Sequence, residues 1–166
     1  TTRSKQSKTI SSLLEMESTW INTFVQLFER DLNKLETEIR QYPDDASLWT
    51  VRGEITNSAG NLCLHLCGNL QNYIGALLGN TGYQRNRPLE FSATGLTREN
   101  LLQEIQRTKH AVITTLKKTD QSSLDKLYPE EVLGYPMTTG FFLTHLFGHF
   151  GYHLGQINYH RRLVSR

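Results

Sequence analysis

Three histidines near the C-terminus, His145, His149 and His153, follow one another at intervals of four, and Gln156 and His160 continue the series. At about 100° per residue of a helix these five side chains share an arc of roughly 80°. Large apolar residues, Phe147, Phe150, Leu154 and Ile157 among them, interleave the stripe, so it should lie beside packed core. His149 and His153, one turn apart with about 6 Å of rise between them, can both turn a ring nitrogen to one ion. A second polar stripe, Asn57, Asn61, His65 and Asn69, repeats the four-residue spacing in an otherwise apolar segment. His65 on a facing helix would be the third ligand. Three imidazoles leave a coordination position open, which is the arrangement of a catalytic metal site and not of a closed structural one. Asn57, Asn61, Asn69 and Gln156 are expected to orient the rings or hold water around the ion. His145 is read as a neighbour of the site or a core residue, and His160 as bonded to a partner group or to water; no role is assigned to His110.

Other chemistries fail on spacing. The segment His149-Phe150-Gly151-Tyr152-His153 lacks the glutamate that HExxH proteases use as base. Di-iron bundles need a Glu-x-x-His pair, and none occurs. No acid and nucleophile are placed beside a histidine as a serine triad requires. Cys63 and Cys67 lie two residues either side of His65, roughly 160° around a helix from it, and read as small buried residues.

The elements that must position these groups are helices. Apolar residues recur at three and four from Ile10 to about Gln41, where Tyr42-Pro43 ends the first helix. Leu48 and Trp49 read as a loop anchor. The second helix starts between Glu54 and Asn57, runs to about Leu78 and is apolar around most of its circumference, so it should be central. Gly60, Gly68 and Gly75 weaken it by about 1 kcal/mol each, which suits close approach by a neighbour or a ligand. Residues 80 to 97 read as a structured loop carrying Arg85, Arg87 and Glu90. Thr97 caps a third helix to about Lys118, with Asn100 in place of the glutamate of a full capping box. A connection with room for one helical turn follows, and Thr138 or Thr139 caps the last helix. The fold class is all-α, a four-helix bundle with structured loops between helices 2 and 3 and between helices 3 and 4.

The 166 residues suit a single domain with one core, residues 1 to 9 being a frayed arm. A net charge of +2, from 18 basic and 16 acidic residues, is too balanced for a nucleic-acid footprint. No apolar run approaches the ~20 residues that span a bilayer, and the first residues lack the apolar core of a signal peptide. The expectation is a cytoplasmic protein with no membrane and no nucleic-acid partner.

The segment HLFGHFGYHLGQINYHRR resembles the C-terminal helix of the DinB-like superfamily, in which an H-x-x-x-H and a following small-Gln pair end the bundle and a histidine of the second helix completes the set. The run NSAGNLCLHLCGNLQNYIGALLG with the following GYQRNRPLEFS is similar to one branch of it, largely of unknown function. The resemblance runs from about Trp49 onward. It implies a four-helix bundle, a homodimer, and a divalent metal on His65, His149 and His153, for which zinc, nickel, iron or manganese are suitable. Some relatives are thiol-dependent transferases or isomerases, which implies a metal-activated low-molecular-weight thiol as cofactor and a small-molecule substrate; Arg85 and Arg87 would hold the anionic groups. That branch often has histidine where Asn72 stands and aspartate where Asn86 stands. The alternatives are a metal-dependent small-molecule hydrolase and a non-enzymatic metal-binding or interaction bundle.

Overall fold

A computed structural model describes residues 19 to 165. The frayed arm expected at residues 1 to 9, and the start of the first helix expected at Ile10, lie outside the described residues. Helix α1 spans Trp20–Arg40, α2 Ala59–Leu70, α3 Arg87–Ser92, α4 Arg98–Lys118 and α5 Thr139–Val164. Four of them are the long helices of the bundle. The fifth, α3, lies in the stretch that periodicity assigns to a loop.

Each boundary follows from local chemistry. Thr19, Ser58, Thr97 and Thr138 accept from the backbone N–H three residues on and so cap α1, α2, α4 and α5. At α4 the box is reciprocal, since the Asn100 side chain also accepts from the Thr97 N–H at 3.1 Å. Helix α2 starts at Ala59, slightly later than the polar stripe suggests, because Ser58 is the cap. Past Leu70 it does not stop but widens into a π turn over Gln71–Ala76. The Tyr73 carbonyl there accepts from the Tyr128 hydroxyl at 2.6 Å. Short α3 needs no apolar period: Asn86 caps it, accepting from Leu89 N–H at 3.2 Å, and Pro88 sits in its first turn.

Around the bundle α1 packs on α4 and α5, and α2 packs on the same two helices from the other side. Phe28, Leu32, Leu35 and Ile39 of α1 are buried in the core with Leu66 and Leu70 of α2, Ile105 and Leu116 of α4, and Phe142, Leu146 and Phe150 of α5. Leu48 is buried, and the Trp49 ring crosses α2 at Gly60, where a Cβ would stand 2.7 Å from it. That contact accounts for the first of the helix's glycines. Gln121–Asp125 forms the single short turn expected before α5. Among the described residues there is no strand, only one isolated bridge from Leu127 to Thr138, and no helix is long and apolar enough to cross a membrane.

Candidate metal centre

Helix α2 faces α5, and their two polar stripes meet. His65 is 6% exposed, and its ring centroid lies 5.1 Å from those of both His149 and His153, which are themselves 4.6 Å apart. One nitrogen from each ring can be chosen so that all three lie within 4.8 Å of one another. His65 Nε2 and His149 Nε2 are 3.2 Å apart. Two imidazole nitrogens bound at ~2.1 Å to one tetrahedral zinc would be separated by about 3.4 Å, so the spacing fits a shared ion.

The outer nitrogens decide which atoms are free to bind. His65 Nδ1 lies 2.9 Å from Glu90 Oε2 and can only donate to it, which leaves Nε2 with its lone pair toward the other rings. His153 Nδ1 donates to Gln156 Oε1 at 2.7 Å, with the same result. His149 Nδ1 is buried and has no partner. Burial, followed by the neighbouring imidazoles and Arg85, pushes His149 down to about 4, and burial also lowers His153. Both shifts favour the unprotonated form of His149 and His153, the form that can ligate. Converging nitrogens, with the outer nitrogens of His65 and His153 bonded to Glu90 and Gln156, are what a metal with imidazole ligands would require.

Glu90 is the principal residue that the sequence reading did not place. It projects from α3, is 6% exposed, and takes a fork from Arg85: Nε to Oε1 at 2.7 Å and one Nη to Oε2 at 2.8 Å. Burial alone would push its carboxyl up, but the bonds from His65 and Arg85 outweigh that and hold it below the usual carboxylate range. Its space is made by Gly68, where a Cβ would come within 2.1 Å of Oε1 and 2.8 Å of Cδ. Asn61 fixes the backbone around it, donating through Nδ2 to the carbonyls of Glu90 at 3.0 Å and Ala93 at 2.8 Å. Asn61 thus anchors α3 and does not itself turn to the rings.

The three histidines open on a cleft of about 610 Å³. Asn57, Asn69, Tyr73, Arg85, Arg87 and His145 give it polar wall, and Phe91, Val132, Phe142 and Leu146 apolar wall. Asn69 is 7% exposed and its Oδ1 has no partner. Arg85 lies over the Tyr73 ring at 5.6 Å, and Arg87, with no ion-pair partner among the described residues, over Phe91 at 5.3 Å. His145 is exposed and stacked on Phe142, with centroids 5.8 Å apart. Gln156 is exposed at the far side of His153. Asn86 spends its side chain on the α3 cap and Asn72 lies on the π turn, so neither takes part in the cluster. His110 is exposed on α4, in a separate groove with Thr114 and Lys118. Cys63 and Cys67 are buried free thiols; their mutual hydrogen bond and burial hold Cys63 well above the ordinary thiol range, so it is unreactive.

The fold of this bundle is DinB-like. It superposes with a TM-score of 0.70 on the crystal structure of a DinB-like protein from Bacillus cereus, at 17% identity over 90% of this chain and 95% of that one. It superposes with a TM-score of 0.72 on a conserved protein from Enterococcus faecalis, also at 17% identity, over 89% and 98%. The chain belongs to the family described as protein of unknown function DUF1572, whose model matches residues 15–166. A search of curated proteins returned no match.

Proposed function

We propose that this chain is a divalent-metal-dependent enzyme of the DinB-like type, a thiol-dependent S-transferase that joins a low-molecular-weight thiol to a small electrophile. The single observation that carries the reading is that the free nitrogens of His65, His149 and His153 converge at the wall of an open cleft and not inside a sealed core. His65, His149 and His153 would hold a divalent cation, which would supply the acidity that lets a bound thiol or water lose its proton near neutral pH.

The chain's own residues do the rest. Arg87, projecting into the cleft without a carboxylate partner, holds an anionic group of the thiol or the acceptor. Phe91, Phe142, Leu146 and Val132 receive the apolar part and exclude water from the reacting atoms. Asn69 offers its unpartnered Oδ1 to an N–H or O–H of the bound molecule. His145, exposed at the rim, takes up the released proton. The function is intracellular, and the active form is a homodimer.

Metal analysis of tag-free protein is the first test: about one equivalent is expected in the native chain and none in His149→Ala. Conjugation of small electrophiles is then followed with and without added low-molecular-weight thiol. Turnover that needs both metal and thiol supports the transferase, turnover without thiol indicates hydrolysis of a small substrate, and a stably bound metal with no turnover of either kind indicates a binding protein.

A further inference from the structure

The arginine that the sequence offers as an anion ligand is already occupied. Arg85 gives Nε and one Nη to the two oxygens of Glu90, and Glu90 in turn accepts the Nδ1 proton of His65. The three groups form a file from the cleft wall to the histidine cluster, and each is at most partly exposed. Nothing in the functional reading above uses Glu90. A buried carboxylate would be costly here for stability alone, since an apolar side chain could fill the same space without loss of hydration. The helix has also given up a side chain at position 68 to admit it, and Asn61 spends both of its amide donors on the backbone that carries it.

We propose that Glu90, held by Arg85, is the positioning residue of the metal centre: it fixes the His65 tautomer and ring angle. The inference rests on the three-histidine metal reading. It assigns the residue through which His65 binds metal, and it moves Arg85 from substrate contact to support of the ligand. The asymmetry among the rings supports it. His65 has an anionic partner, His153 a neutral one in Gln156, and His149 none. A carboxylate behind an imidazole confines its rotation and fixes its tautomer, and loss of such a partner typically weakens metal binding by about 10–100-fold.

The experiment is a metal titration of tag-free native protein and of the variants Glu90→Gln and Gly68→Ala, with zinc and with cobalt. Cobalt reports ligand geometry through its visible spectrum, and nitrogen-15 shifts of the metal-free proteins report the His65 tautomer. Glu90→Gln keeps a hydrogen-bond acceptor but no charge. Gly68→Ala changes no polar group and displaces the carboxylate. Both should fold, both should lose about 10–100-fold in affinity, and Gly68→Ala should also show mixed His65 tautomers and an altered cobalt spectrum. Native affinity and spectrum in either folded variant would overturn the assignment of Glu90. Should one variant fail to fold, the other decides alone. Failure of the native protein to bind either metal would instead remove the three-histidine reading itself, a separate and distinguishable result.

Discussion

His149 and His160 stand eleven residues apart on the same helix and belong to the same sequence stripe, yet the protein treats them oppositely. His160 is 5% exposed and saturated: Nε2 donates to the Thr50 carbonyl at 2.7 Å, and Nδ1 lies 2.8 Å from the Tyr42 hydroxyl. His149 has one nitrogen with no partner and the other 3.2 Å from a second imidazole nitrogen. Both are histidines placed by helical periodicity beside a core. The difference is whether the fold completes the ring's bonding by itself or leaves it to be completed by something that binds. Saturated nitrogens mark a strut, and convergent unsaturated ones mark a site.

The largest expected consequence of this contrast is in metal uptake. His149→Ala should remove metal binding, by more than about 100-fold in affinity, while His160→Ala should leave stoichiometry and affinity unchanged when both are titrated with zinc. In stability the order reverses. His160→Ala should cost the metal-free protein about 2–4 kcal/mol in denaturant unfolding, because it empties a buried site and strands the Thr50 carbonyl, while the Tyr42 hydroxyl keeps its bond to the Ile157 carbonyl. His149→Ala should cost less, since that ring is only partly buried and its one polar contact is His65 Nε2 at 3.2 Å. Comparable stability losses in the two would break the comparison.

Acid should separate the regions again. In the metal-free protein His149 is held at about 4, below its ordinary value of 6.5. Above pH 6.5 neither folded nor unfolded chain protonates it. As pH falls from 6.5 toward 4 the unfolded chain takes up a proton that the folded chain refuses, so stability declines across that window and levels off below it. Allowing for the half-buried position, the loss should be on the order of 1–2 kcal/mol. It should shrink in His149→Ala, where the lowered His153 remains, as urea unfolding at pH 7 and pH 4.5 would show. Tyr42→Phe, at the saturated region, should cost about 1 kcal/mol at either pH and leave metal affinity alone. The smallest effect expected is for Gln156→Ala, where loss of a neutral, exposed partner of His153 should weaken zinc binding only a few-fold, by less than Glu90→Gln.

The sequence carried the helices and the three converging imidazoles because both are periodic. Spacing of three and four places residues on a face whether or not their partners are known, and His65, His149 and His153 needed nothing more than that. Glu90 has no such period. It belongs to a six-residue helix, twenty-five positions after His65, and only folding of the intervening segment brings it behind the ring. Two local hints were present: Asn86 before Arg87-Pro88 is a helix start, and Gly68 at the centre of a good helix asks what stands against it. The role of Asn61 was not legible for the same reason. Its spacing places it in the histidine stripe, while its amide turns to the two carbonyls of α3. Nor could spacing distinguish His160 from His149, since the saturating groups, Tyr42 and Thr50, come from the far end of the chain.

The π turn after Leu70 ties together parts of the protein that the helix count treats as separate. Its wide winding releases the Tyr73 carbonyl, and Tyr128, whose ring lies 4.3 Å from Phe142 on α5 and whose N–H bonds the Met137 carbonyl, takes it up. The Tyr73 ring, in turn, is the surface on which Arg85 rests. One hydroxyl therefore joins the approach to α5, the widened end of α2 and the arginine behind Glu90. Contacts run from the exposed connection around Pro129, through Tyr128, Tyr73 and Arg85, to the carboxylate that His65 meets.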